Sequence, residues 1–360
     1  MKDKNNQENK KSRAKANIQL GTKEVVLEDA YKAYEEKNYK KVFEPFKEVF
    51  KQGLPEDQYN LGWMYAKGYG VDQDYMKAFE WFEKAAKQGH SGAQNNLGLM
   101  YAKGYGVDQD YTKAFKWYKK AAEQEYPAAQ GNLGIMYDNG YGVDQDSTKA
   151  FEWYEKSAEQ GHPGAQYNLG VMYENGDGVD QDYTKAFEWY EKAAEQGLPE
   201  AQNNLGVMYD NGYGVDQDST KAFEWYEKAA EQGYPTAQYN LGWMYEEGAG
   251  VNQDSTKAFE WYEKAAEQGH PGAQNNLGWM YEEGAGVNQD STKAFEWYEK
   301  AAEQGYPTAL YNLGVMYAKG YGVDQDYTKA FEWFEKAAEQ GEVKAIKALE
   351  ELKNEMNGDK

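Results

Sequence analysis

Residues 235–270 read PTAQYNLGWMYEEGAGVNQDSTKAFEWYEKAAEQGH. Residues 271–306 repeat them with three changes, at Gly272, Asn275 and Tyr306. The Leu-Gly dipeptide inside this stretch returns at Leu61, Leu97, Leu133, Leu169, Leu205, Leu241, Leu277 and Leu313, always 36 residues apart. A fixed period of this length marks a stacked array whose units touch their neighbours, not a closed globule.

Each unit reads as two helices. The first opens at a proline (Pro55, Pro127, Pro163, Pro199, Pro235, Pro271, Pro307), whose fixed φ and missing N–H suit a first helical turn. It closes at Gly68 and its equivalents, and the Gly-x-Gly-Val that follows supplies freedom for a sharp turn. Asp74 and its copies stand just ahead of an apolar-periodic segment, where an N-cap carboxylate belongs. That second helix ends at Gly89-type glycines, expected as C-terminal caps. Glu125 replaces this glycine in the second unit, which predicts a weak point of roughly 1 kcal/mol. On a helical wheel Ala78, Phe79, Trp81, Phe82, Ala85 and Ala86 share the buried face, opposite Glu80, Glu83, Lys84 and Lys87. In the first helix Leu61, Gly62, Met64 and Tyr65 share an arc, and Gly62 is expected to admit a neighbouring helix closely.

Composition narrows the function. The chain of 360 residues carries 39 Lys+Arg against 61 Asp+Glu, a formal charge of −22. That balance disfavours nucleic acid and anionic lipid, which need a cationic surface, and favours a cationic or neutral partner. Hydrophobic residues make up 40% of the chain and aromatic ones 16%, which is not the composition of an acidic disordered tail. No cysteine is present, so disulfides, thiolate metal sites and cysteine nucleophiles are excluded. Neither a secretory signal in the first twenty residues nor a membrane-length apolar run is visible, so a cytoplasmic protein is expected.

The motif AQ-x-N-L-G-x-M-Y, with G-x-G-V and K-A-x-x-W-Y-x-K-A-A, runs eight times through residues 54–341. It resembles the Sel1-like repeat, a relative of the tetratricopeptide repeat with a longer inter-helix loop. The resemblance implies an all-α, right-handed α-solenoid superhelix of stacked antiparallel helix pairs. Residues 25–53 (Ala30, Tyr34, Phe43, Phe46) resemble a shorter tetratricopeptide hairpin and are expected as an N-terminal cap. Residues 342–360 are expected as a C-terminal capping helix and tail, built on Val343, Ile346, Leu349 and Leu352. Residues 1–24 carry seven basic and three acidic residues without periodicity, and are expected as a disordered arm.

The first helix has a second face, on which Glu56, Tyr59, Asn60, Trp63 and Lys67 fall together. In tetratricopeptide arrays that this chain resembles, such a face lines a concave groove for extended peptides. Asparagine occupies one slot throughout: Asn60, Asn96, Asn132, Asn168, Asn204, Asn240, Asn276 and Asn312. Each amide can donate and accept, so a ladder of them could pair with a peptide backbone; alternatively each ties down a neighbouring helix. The Tyr59 slot alternates mostly between tyrosine (Tyr59, Tyr167, Tyr239, Tyr311) and asparagine. Of eleven tryptophans, eight take a second-helix slot expected to be buried. Trp63, Trp243 and Trp279 do not, and are candidate binding anchors or packing between adjacent first helices. Glu246-Glu247 and Glu282-Glu283 end the helices carrying Trp243 and Trp279, predicting a partner segment with Lys or Arg beside an apolar residue.

Catalytic chemistry finds no footing. His90, His162 and His270 share one slot at unit junctions, too far apart for one metal, and are expected to pack. Gly-His-Ser-Gly-Ala at 89–93 lacks the last glycine of a nucleophile elbow. The Gly-Tyr-Gly-Val-Asp-Gln-Asp loop lacks the distal glutamate of an EF-hand. Some Sel1-like proteins carry a cysteine pair per repeat and are linked to β-lactam chemistry; this chain departs from that pattern in every unit. The expectation is therefore a monomeric, non-enzymatic adaptor that binds a protein or extended peptide and needs no cofactor or metal. A rigid acidic spacer is the alternative, and a β-lactamase-like enzyme the remote one.

Overall fold

The computed structural model describes residues 53–358. The arm expected over 1–24, nearly all of the capping hairpin expected over 25–53, and the last two residues lie outside the described residues. Among the described residues there are seventeen helices and no strand. They fall into two compact units, divided between Asp180 and Gln181.

The first unit holds α1 (Pro55–Lys67), α2 (Tyr75–Lys87), α3 (Ser91–Lys103), α4 (Tyr111–Ala122), α5 (Pro127–Asn139), α6 (Ser147–Glu159) and α7 (Pro163–Asn175). The second holds α8 (Tyr183–Glu195), α9 (Pro199–Asn211), α10 (Ser219–Glu231), α11 (Pro235–Glu247), α12 (Ser255–Glu267), α13 (Pro271–Glu283), α14 (Ser291–Glu303), α15 (Pro307–Lys319), α16 (Tyr327–Glu339) and α17 (Val343–Gly358). Within each unit every helix packs on the next along the chain, as a stacked array requires.

The helix boundaries follow from local chemistry. Asp74 Oδ1 accepts the Lys77 backbone N–H at 3.0 Å, and its other oxygen meets the Lys77 ammonium at 2.9 Å. Both contacts hold that carboxyl below the usual range. The same cap recurs from Asp110 to Asp326. The three histidines do more than pack: Nδ1 of His90, His162 and His270 accepts the N–H three residues on, capping α3, α7 and α13. Glu125 stands at φ 59°, in the left-handed region that its glycine equivalents occupy, the strained site expected there.

Packing inside each hairpin depends on one missing side chain. A Cβ on Gly62 would lie 2.7 Å from the Phe82 ring, and one on Gly242 would lie 2.7 Å from the Tyr262 ring. The ring therefore sits flat on helix backbone. Between repeats, a Cβ on Gly106 would overlap the Tyr75 carbonyl, so the loop of one repeat rests on the start of the previous second helix. Phe79 meets Tyr101 edge-on, with centroids 5.4 Å apart, and the same contact joins Phe259 to Tyr281.

The wheel's buried face holds at Ala78, Phe82, Ala85 and Ala86. The second-helix tryptophans differ from expectation, being half-buried. Each is roofed by the lysine one turn later, as Lys84 lies 4.0 Å above Trp81 and Lys264 3.7 Å above Trp261. A cation over an indole face shields it while the charge stays wet. In α17 the inward residues are Ala345, Leu349 and Leu352, whereas Val343 and Ile346 face water.

Candidate functional site

The leading helices of the repeats carry every expected site residue. In the first unit Asn60, Asn96, Asn132 and Asn168 are half-buried, as are Asn204, Asn240, Asn276 and Asn312 in the second. Their amides are partly engaged within the stack. Asn132 Nδ2 donates to Asn95 Oδ1 at 3.0 Å, Asn240 to Asn203 at 3.0 Å, and Asn312 to Asn275 at 3.1 Å. Where the same slot of the preceding repeat is tyrosine, the amide stands by a phenol and favours its charged form, Asn96 at Tyr59 and Asn276 at Tyr239. Asn168 stands in the same way by the Tyr154 phenol.

The Tyr59 slot is correspondingly occupied. Tyr59 stacks on His90 with centroids 4.5 Å apart, Tyr239 stacks on His270 at 4.7 Å, and Tyr311 leans on Phe334 at 5.7 Å. Tyr167 is half-buried. Burial raises the phenols of Tyr59, Tyr239 and Tyr311. In five of the eight repeats this slot goes with the residue that ends the repeat. Tyr59 and Tyr239 face histidine at the end of their repeat, whereas Asn95, Asn203 and Asn275 belong to repeats ending in tyrosine.

The Trp63 slot lies on the surface. Trp243 is 37% exposed and Trp279 is 40% exposed. Leu99 and Ile135 in the same slot are exposed too. Trp63 is more covered: its Nε1 donates to Tyr59 OH at 2.7 Å, and Lys67 Nζ lies 5.0 Å from its ring. It lines a hollow of about 130 Å³ between α1 and α3, with Lys67, Tyr75, Leu99 and Tyr105.

The acidic pairs divide in two. Glu246 accepts the buried Tyr262 phenol at 2.6 Å, and Glu282 accepts that of Tyr298 at 2.9 Å. Burial first, then these carboxylates, push both phenols above their ordinary range. Glu247 and Glu283 remain exposed at the helix ends. In repeat 1 the same two slots hold Ala66 and Phe82, so neither the acid nor the hydroxyl is present. Elsewhere an acid facing the phenol is held above its usual range by burial, as at Asp138 and Asp210.

A buried amide relay escaped sequence reading. Gln88 Nε2 donates to Gln58 Oε1 at 2.8 Å, and Gln94 Nε2 donates to the Ala86 carbonyl of the preceding repeat at 3.1 Å. It recurs in Gln268 to Gln238 and Gln274 to Ala266. The signal was the glutamine of the motif, a polar residue on an apolar arc in every repeat but the last, where Leu310 replaces it. Among the described residues no group of three His, Cys, Asp or Glu is set to hold a metal ion. None of the described helices is long and apolar enough to cross a membrane.

Comparison with known proteins agrees with this architecture. The family profile described as Sel1 repeat matches residues 55–90, 91–126, 127–162, 163–198, 199–234, 235–270, 271–306 and 307–342. A protective antigen present in uropathogenic Escherichia coli strains, displaying an SLR fold, is 42% identical. The match covers 85% of this chain and 66% of that one, with a TM-score of 0.75. The chain therefore spans just under two thirds of that antigen's length. A Sel1 repeat protein from Oxalobacter formigenes is 38% identical, covering 85% of this chain and 90% of its own, with a TM-score of 0.64. No curated protein matches. Repeat proteins of this kind are generally protein-interaction modules and generally non-catalytic.

Proposed function

The chain belongs to the Sel1 repeat family, and on that premise we propose that it is a non-enzymatic adaptor whose leading-helix face captures an extended protein segment. The observation that carries this reading is the exposure of Trp243 and Trp279 on neighbouring leading helices, beside the half-buried Asn240 and Asn276. Exposed indoles on an open face are the usual material of binding hot spots. At Trp63 the chain lays its own Lys67 over the ring. At Trp243 and Trp279 the corresponding residues are Glu247 and Glu283, so a partner's lysine or arginine supplies the cation, held by both an indole face and a carboxylate.

The test is titration of the full chain with a short peptide carrying lysines around one phenylalanine. Trp243→Ala with Trp279→Ala is expected to weaken binding at least about tenfold at unchanged helical content, and binding is expected to fall as salt rises. A second reading, a rigid acidic spacer, draws support from the Asn132–Asn95, Asn240–Asn203 and Asn312–Asn275 bonds. Indifference of every peptide to the double substitution would favour it.

A further inference from the structure

We propose that the hollow between α1 and α3 is a second binding subsite of opposite preference, taking one apolar side chain flanked by carboxylates. The proposal rests on the capture reading above and assigns that face a separate specificity at repeats 1 and 2.

The geometry is that of a one-residue socket. Its volume of about 130 Å³ is well below the roughly 300–1,000 Å³ of small-molecule sites. Tyr75 and Tyr105 form one wall as a stacked pair with centroids 4.9 Å apart, both more than a third exposed. Trp63 and Leu99 also line it. Such rings present rigid contact area with little side-chain entropy to lose.

Charge sets the preference. Among the described residues no carboxylate lines the hollow. In repeat 6 the corresponding slots hold Glu246, Tyr262 and Glu247, where repeat 1 has Ala66, Phe82 and Lys67. The tyrosine wall is missing at repeats 6 and 7, where Ser255 and Ala285 stand in place of Tyr75 and Tyr105. The same stack recurs at Tyr111–Tyr141 and Tyr183–Tyr213, but only the first pair is joined to Trp63 and Lys67 in one hollow. Lys67 lies at the rim, over Trp63, and among the described residues no carboxylate is within ion-pair distance of it. Lys103 holds the same slot on α3, preceded by Ala102. In a chain of net charge −22, two lysines without acids at four such slots form a local inversion of sign. Acidic residues beside the inserted side chain are drawn in and basic ones are not.

Three seven-residue peptides test this against the full chain by fluorescence anisotropy: phenylalanine flanked by Glu and Asp, phenylalanine flanked by Lys, and alanine flanked by Glu and Asp. The acid-flanked phenylalanine peptide is expected to bind saturably, and the alanine peptide is not. Lys67→Glu, at an exposed position, is expected to weaken it about tenfold, while Trp243→Ala with Trp279→Ala leaves it unchanged. Equal binding of acid- and lysine-flanked peptides at this end, or indifference to Lys67→Glu, overturns the proposal. If the lysine-flanked peptide binds through Trp243 and Trp279 while the acid-flanked one shows nothing up to about 1 mM, the subsite fails alone. If neither peptide binds, the capture reading fails with it.

Discussion

Repeats 1 and 6 share one 36-residue frame and end in opposite chemistry. In both, a glycine backs onto an aromatic ring, an aspartate caps the second helix, and a tryptophan stands on the leading helix. Around that tryptophan repeat 1 places Ala66, Lys67 and Phe82, where repeat 6 places Glu246, Glu247 and Tyr262. Between these two repeats the slots change together, although repeat 2 sets Ala102 against Tyr118 and carries the phenol without the acid. In repeats 6 and 7 the phenol in the ring slot brings its oxygen into the interior and donates a hydrogen bond to the acid on the leading helix. A phenylalanine needs no acceptor, and alanine suffices. The frame is therefore held by packing, while the polar groups set around it vary from repeat to repeat.

The largest expected effect tests what the two regions have in common. Gly62→Ala and Gly242→Ala each drive a Cβ into a ring 2.7 Å away, costing about 1–3 kcal/mol. Similar losses in urea unfolding would confirm a common frame, and a loss at only one site would break it. Next comes the compensated pair. Tyr262→Phe strips Glu246 of its phenol and costs about 1–2 kcal/mol; adding Glu246→Ala recreates the repeat 1 pair and is expected to restore most of it. A double-mutant cycle without coupling would sink that account.

Glu125→Gly is expected to add about 1 kcal/mol, because Glu125 holds φ 59°. Glycine at the equivalent Gly161 or Gly269 has open space around it, so relief of backbone strain is the whole effect. A mid-point in urea that does not rise would refute it. The smallest effect concerns acid. Burial lowers the affinity of His270 for a proton below its unfolded value near 6.5. Its contribution is thus complete above that value and is lost as pH falls through it toward the folded one. Protonation also removes the Nδ1 acceptor that caps α13. Protection of α13 amides from hydrogen exchange is expected to decline from pH 7 to about 5.5, and His270→Asn to flatten that decline. Equal slopes for the two chains would exclude a capping role in the pH response.

Much of this molecule was legible because its determinants are local. Asp74 caps α2 through an N–H three residues away, and the glycine turns need only their own φ, so a 36-residue pattern specifies the hairpin by itself. The resemblance carried by Leu61, Gly62 and Trp81 then fixed the family. What sequence reading left open involves partners roughly 16 to 37 residues apart. Whether Asn132 meets a ligand or Asn95, whether Glu246 stands free or holds Tyr262, and whether Trp243 is covered all depend on how one hairpin lies on another. Covalent sequence determines turns, caps and period because these are settled within one turn of chain. Tertiary stacking decides which polar and aromatic groups remain for a partner, because exposure is a property of surfaces brought together and not of residues in order.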